Sequence, residues 1–133
     1  MSQEHVELVR RWFELWSDDD WTAYEAIHDP YVVVLPPDNW PDGEVSVGRE
    51  AWIRQSMRLE DSWEKDRSEL DELLDAAGYV LAGTRWITEG RESGIEFEMK
   101  LWAVFTFSRR CVTRIEWFRD RYQALKAVGL GDG

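Results

Sequence analysis

Apolar positions recur at three- and four-residue steps over residues 4–16, where Val6, Val9, Trp12, Phe13 and Trp16 share one side and Glu7, Arg10, Arg11 and Glu14 fall elsewhere. That period predicts an amphipathic helix. Ser17 to Asp20 stop it and offer N-caps for a second helix over 21–28, which aligns Trp21, Tyr24, Ile27 and His28 before Pro30 ends it. Tyr31 to Leu35 is a short β-branched run halted by Pro36-Pro37, so a strand is expected there. A loop rich in Pro, Asp, Asn and Gly follows to about residue 47. A third helix opens at Gly48-Arg49-Glu50-Ala51, with Trp52, Ile53, Met57 and Leu59 on its inner side, and ends near Glu60-Asp61.

The second half of the chain changes period. Residues 79–89, 95–107 and 111–118 are rich in β-branched and aromatic side chains, and the middle run alternates cleanly. There Ile95, Phe97, Met99, Leu101, Ala103, Phe105 and Phe107 face one way, and Glu96, Glu98, Lys100, Trp102, Val104 and Thr106 the other. A short helix over about 120–127 ends at Gly129. The stretch 64–77 is the exception: Leu70, Leu73 and Leu74 have helical spacing, and Gly78 suits the residue after a helix end. Helices first and long antiparallel strands afterwards make an α+β arrangement. With no repeat, linker or low-complexity stretch, one domain spanning 1–133 is expected.

Composition narrows the possibilities. Sixteen Lys and Arg against 27 Asp and Glu give a formal charge of −11, which argues against a nucleic-acid or anionic-membrane surface. Neither a signal-type apolar stretch nor a membrane-length apolar run is visible, and a lone cysteine, Cys111, fits a reducing compartment, so a cytoplasmic location is expected. Nine Trp, five Phe and four Tyr make a heavy aromatic load for 133 residues and argue against disorder. Asp18-Asp19-Asp20 lacks the spacing of a calcium loop and the two histidines are far apart, so neither a metal nor another cofactor is expected.

Three phrases in order, HVELVRRWFELWSDDDWTAYEAIHDP, VGREAWIR and VTRIEWFRDRYQALKAVGL, resemble the SnoaL-like, polyketide cyclase-like branch of the nuclear-transport-factor-two-like superfamily over essentially the whole chain. The resemblance implies a cone: a strongly curved, mostly antiparallel sheet wrapped around N-terminal helices, with a pocket at the open end. It also implies that 66–75 is a strand paired with 79–89, against the local helical spacing. Members commonly dimerise through the convex face of the sheet, which here would carry Trp102, Val104 and Phe118, with Val112 beside them, and a homodimer is expected.

The catalytic sets of the superfamily's enzymes are missing. Positions matching the tyrosine and two aspartates of ketosteroid isomerases hold Trp12, Leu35 and Ala103. The Asp-Arg-Asp relay of limonene-epoxide hydrolases fails because Arg85 is followed two places on by Ile87, and the pocket histidine and aspartate of SnoaL-type cyclases lack a match, since strand 95–107 has no inward acid and Glu116, the one acid of the strand 111–118, alternates outward. Two candidates for catalysis remain, His28 and Arg85. His28 is either a helix-end cap or, pointing into the cone, a neutral-pH base. Arg85 either faces inward and binds an anionic group or faces outward and pairs with Glu96 or Glu98, and whether it or Trp86 enters the pocket depends on the turn at 90–94.

Trp12, Trp16, Tyr24, Leu101, Ala103 and Trp117 are the expected ligand-lining residues. Asp38, Asn39 and Asp42 lie near the expected pocket mouth. Two functions are in view: cofactor-independent isomerase, cyclase or lyase chemistry on a small apolar carbonyl-type substrate, or non-catalytic binding of a small apolar molecule or a purely structural dimer module.

Overall fold

The computed structural model describes residues 2–38, 40, 43–61, 65–76, 78–90 and 92–130, so Asn39 and Asp42 lie outside the described residues. In chain order the elements are α1 (Ser2–Ser17), α2 (Trp21–Ala26), β1 (His28–Leu35), β2 (Ser46–Val47), α3 (Arg49–Asp61), β3 (Lys65–Ala76), β4 (Tyr79–Glu89), β5 (Glu96–Ser108), β6 (Cys111–Phe118) and α4 (Arg121–Ala127). All six strands join one sheet in the order β2-β1-β6-β5-β4-β3. Every pair is antiparallel except β1 with β6. No helix among the described residues is long and apolar enough to cross a membrane.

The main core lies between the concave face of the sheet and the first three helices. Val9, Trp12, Phe13 and Trp16 of α1 pack with Tyr24, Val32, Trp52, Ile53, Ala82, Phe105 and Ile115. Asp20 caps α2, its Oδ1 accepting from the Ala23 N–H at 3.2 Å. The helix ends at Ala26, earlier than the spacing predicts, and His28 opens β1 instead of closing α2. The physical reason is Pro30, which disfavours helical geometry at Asp29 before it. The proline sits where the β1–β6 register shifts between His28 and Val33, an irregular stretch that tolerates a missing N–H.

Residues 65–76 form a strand, as the resemblance implies, and the helical spacing within it has a structural cause. The β3–β4 register steps from Leu70 opposite Thr84 to Glu72 opposite Gly83, leaving Asp71 as an extra residue. Such a bulge shifts the inward-outward alternation by one. Leu70 and Leu73, three apart, therefore both reach the concave core, while Leu74 packs on the convex side. A second bulge does the same in β6, where Phe107 pairs with Val112 but Thr106 with Arg114. Strict alternation placed Val112 outward with Arg114 and Glu116; it is instead fully buried in the concave core.

The convex face departs most from the sequence reading. Trp102, Val104 and Phe118 do share that face, but α4 folds back over it, and Ala124, Leu125 and Val128 pack with Leu74, Ala76, Leu81, Val104, Trp102 and Phe118. Val104 is buried there, and the Trp102 indole reaches across β4 to Gly83, where a Cβ would stand 3.1 Å from its Nε1. Part of the apolar surface that suggested a dimer is thus covered within one chain, while Trp102 and Phe118 remain half-buried. Asp120 caps α4 by accepting from the Tyr122 N–H at 2.7 Å. Arg121 then fastens the helix to β3, donating to both oxygens of Glu72 at 3.0 and 2.8 Å.

The Arg121 hydrogen bonds hold the Glu72 carboxyl below its usual range. The pair is present at neutral pH, and its contribution disappears as acid protonates Glu72. An exposed bidentate pair of this kind contributes about 0.5 kcal/mol. Glu72→Gln is expected to lower stability by that order and to speed amide exchange across 124–128; unchanged exchange there would show that apolar contacts alone hold α4.

Candidate functional site

A cleft opens between α1, α3 and the concave face of the sheet. Its cavity volume is about 90 Å³. Six tryptophans line it: Trp12 and Trp16 from α1, Trp40 from the loop after β1, Trp52 from α3, Trp86 from β4 and Trp117 from β6. Phe13, Val34, Leu59 and Leu101 complete the apolar wall with the rings of Pro36 and Pro37. Gln55, Ser68 and Thr84 supply polar atoms, and Glu44, exposed at the rim, is the one ionisable side chain among the described lining residues.

Local chemistry explains how the loop delivers Trp40. Pro36-Pro37 end β1, and the Gly43 N–H closes a turn onto the Trp40 carbonyl at 2.9 Å. Only glycine fits there, since a Cβ at residue 43 would lie 2.8 Å from the Trp40 carbonyl oxygen. Arg119 braces the loop from outside: its Nε donates to the Asp38 carbonyl at 3.0 Å, and its guanidinium lies 5.5 Å from the Trp40 ring centre. The Trp40 ring in turn meets Trp86 at 5.9 Å between centroids. Asp38 is exposed and enters this arrangement through its backbone.

Of the residues expected to line a ligand site, Trp12, Trp16, Leu101 and Trp117 border the cavity, whereas Tyr24 and Ala103 are sealed in the core away from it. Val34 rather than its neighbour Leu35 faces the cavity. Sequence reading missed the contribution of Trp40 and Ser68. The signal for Trp40 was its place between a diproline and a glycine in the mouth loop. The signal for Ser68 was hidden by the bulge in β3.

The two candidates for catalysis lie elsewhere. His28 is fully buried and has both ring nitrogens engaged. Trp12 Nε1 donates to its Nε2 at 2.9 Å, which leaves Nδ1 as the protonated nitrogen, donating to the Tyr24 carbonyl at 2.7 Å. Burial lowers the His28 pKa to about 4, opposed by the bond to the Tyr24 carbonyl and reinforced by the charge of Arg49. Beside it the Tyr24 hydroxyl shares a hydrogen bond with Ser56 Oγ at 3.2 Å, and burial pushes the phenol up. The Trp52 indole lies near that phenol, yet its buried N–H makes no hydrogen bond of good geometry.

Arg85 points to the convex side and Trp86 to the cavity. The guanidinium joins three strands, meeting Glu69 at 2.6 Å, Asp71 at 2.9 Å and Glu98 at 3.1 Å. These carboxylates raise its pKa, Asp71 foremost. The outward reading of Arg85 named Glu98; the bulge at Asp71 adds the β3 partners. Among the described residues no three His, Cys, Asp or Glu side chains converge as a metal site.

Because the folded pKa of His28 lies below the ordinary value near 6.5, the unfolded chain binds the extra proton between pH 6.5 and 4. The histidine's contribution is complete above pH 6.5 and declines with acid; from pH 7 to pH 5 the linkage removes about 2 kcal/mol. Urea titrations across that interval should show the loss, and His28→Gln should flatten it. Trp12→Phe keeps the ring packing but strips the donor from a buried acceptor, and a cost of about 1–3 kcal/mol is expected in the same measurement. A loss below a few tenths would show that His28 is satisfied by something else.

No family model matches the chain, and no curated protein matches it by sequence. Solved structures match it throughout. Bal32a from a soil-derived mobile gene cassette superposes with a TM-score of 0.80 at 19% identity, over 87% of this chain and 88% of that one. A putative SnoaL-like polyketide cyclase from Jannaschia gives 0.76 at 16% identity, over 98% and 94%. A protein with a ketosteroid isomerase-like fold from Catenulispora acidiphila, solved in complex with trimethylamine, gives 0.75 at 14% identity, over 93% of both chains. The fold is therefore the nuclear-transport-factor-two-like α+β cone, with SnoaL-like proteins among its structural neighbours.

Proposed function

We propose that this chain is a binding domain that holds a small, largely apolar molecule in its cone. The observation that carries the reading is the wall of the cavity. Six indoles, two prolines and several aliphatic side chains surround a space open at one side, and amide and hydroxyl groups on Gln55, Ser68 and Thr84 interrupt them. Apolar walls with a few placed polar groups are what small-molecule sites require. Displacing poorly held water from such walls favours an apolar ligand, and indole faces add stacking contacts.

The wall supports binding better than acid–base chemistry. His28 is committed through both nitrogens to core hydrogen bonds, and Arg85 stands on the opposite face of the sheet. Among the described lining residues, acid–base chemistry would have to rest on Glu44 at the rim.

Ser68 offers the test, because it is half-buried and borders the cavity without belonging to the core cluster. Ligand-observed NMR with uncharged ring compounds should detect binders, and Ser68→Phe, which fills the space, should weaken them at least ~10-fold, the factor a 1.4 kcal/mol loss produces. Binders indifferent to that substitution, or none in the panel, would overturn the reading.

A further inference from the structure

The charge character of the cavity narrows the ligand. Each indole face carries negative quadrupole density, and six of the chain's nine tryptophans border this one space. Among the described lining residues no Lys, Arg or His is present, and the single ionisable group is the acidic side chain of Glu44 at the rim. The chain as a whole carries a formal charge of −11, which raises the local concentration of cations and repels anions. Arg119 over the Trp40 ring at 5.5 Å shows that one of these indoles already receives a cation on one side.

From these observations we infer that the cavity selects an organic cation with apolar substituents, a fully alkylated ammonium group. This rests on the reading of the cone as a small-molecule site and specifies its ligand class. The chemistry favours alkylation. A primary ammonium would surrender strong hydration to a wall with few acceptors, whereas a quaternary nitrogen presents methyl groups that lie against indoles while its charge meets their faces. A carboxylate or phosphate of the same size would meet aromatic faces and Glu44, with no cation to pair with in the described wall.

The test compares three molecules of one shape by calorimetry: choline, dimethylbutanol (in which a quaternary carbon replaces the nitrogen) and the matching dimethylbutanoate. Choline is expected to bind at least ~10-fold tighter than dimethylbutanol, as cation–π contacts in a desolvated cage allow, and dimethylbutanoate weakest. Trp86→Leu should weaken choline by a factor of ~5 or more and leave dimethylbutanol within about twofold. Fluorotryptophan incorporation, which withdraws π density while keeping ring shape, should weaken choline alone and covers the case in which Trp86→Leu fails to fold. Dimethylbutanol binding as tightly as choline would overturn the cation preference and leave the apolar-site reading intact. Failure of all three to bind would overturn the cation preference as well, and the panel of uncharged ring compounds would then decide the wider reading separately.

Discussion

The hydrogen bond from Trp12 to His28 is the contact on which the interior depends. It joins α1 to the first residue of β1 across sixteen positions of sequence and is wholly buried. An indole N–H left unpaired in a core is costly, and a neutral imidazole offers one acceptor and one donor. Here the acceptor takes the indole and the donor takes the Tyr24 carbonyl, so neither ring can turn without orphaning a polar atom. With its edge fixed, the Trp12 ring becomes the post against which Trp16 stacks, Tyr24 and Trp117 tilt, and Phe13 and Phe105 stand edge-on. Three of those neighbours, Phe13, Trp16 and Trp117, continue into the cavity wall, and the shape of the site is thereby inherited from a core hydrogen bond.

Much of this architecture was legible in the sequence because periodicity and burial agree. The apolar side of α1, the alternation of β5 and the N-cap aspartates all act locally, and each led to the right element. What escaped was the consequence of single extra residues. Asp71 and Thr113 shift the alternation of their strands, so leucines three apart looked helical and Val112 looked exposed. Nothing in the composition of a strand announces where its partner will lack a residue. The position of His28 was hidden for a related reason: whether a residue ends a helix or opens a strand depends on the partner strand, here β6 through Val112.

The site was legible in kind and less so in detail. Aromatics at helical spacing identified Trp12 and Trp16, and the inward parity of β5 identified Leu101. Arg85 and Trp86 could not be separated, since adjacent strand residues exchange faces with one step of register. The structure divides them cleanly, charge to the convex side and indole to the cavity. The convex face likewise showed apolar residues without showing that α4 covers them, because that contact is made by a segment far along the chain.

The extra residue at Asp71 has a bearing on how one molecule meets another. β3 is twelve residues long and last in the sheet, so among the described residues its outer side has no neighbouring strand. A flat edge of that length is a template for pairing with a second chain. At Asp71 the regular spacing of N–H and C=O groups breaks, and Arg67, Glu69, Asp71 and Asp75 bring charge to the same strand. A strand laid alongside would hold register over only part of β3. The residue that turns Leu70 and Leu73 into one core thus also interrupts the ladder that a shared sheet along this edge would need.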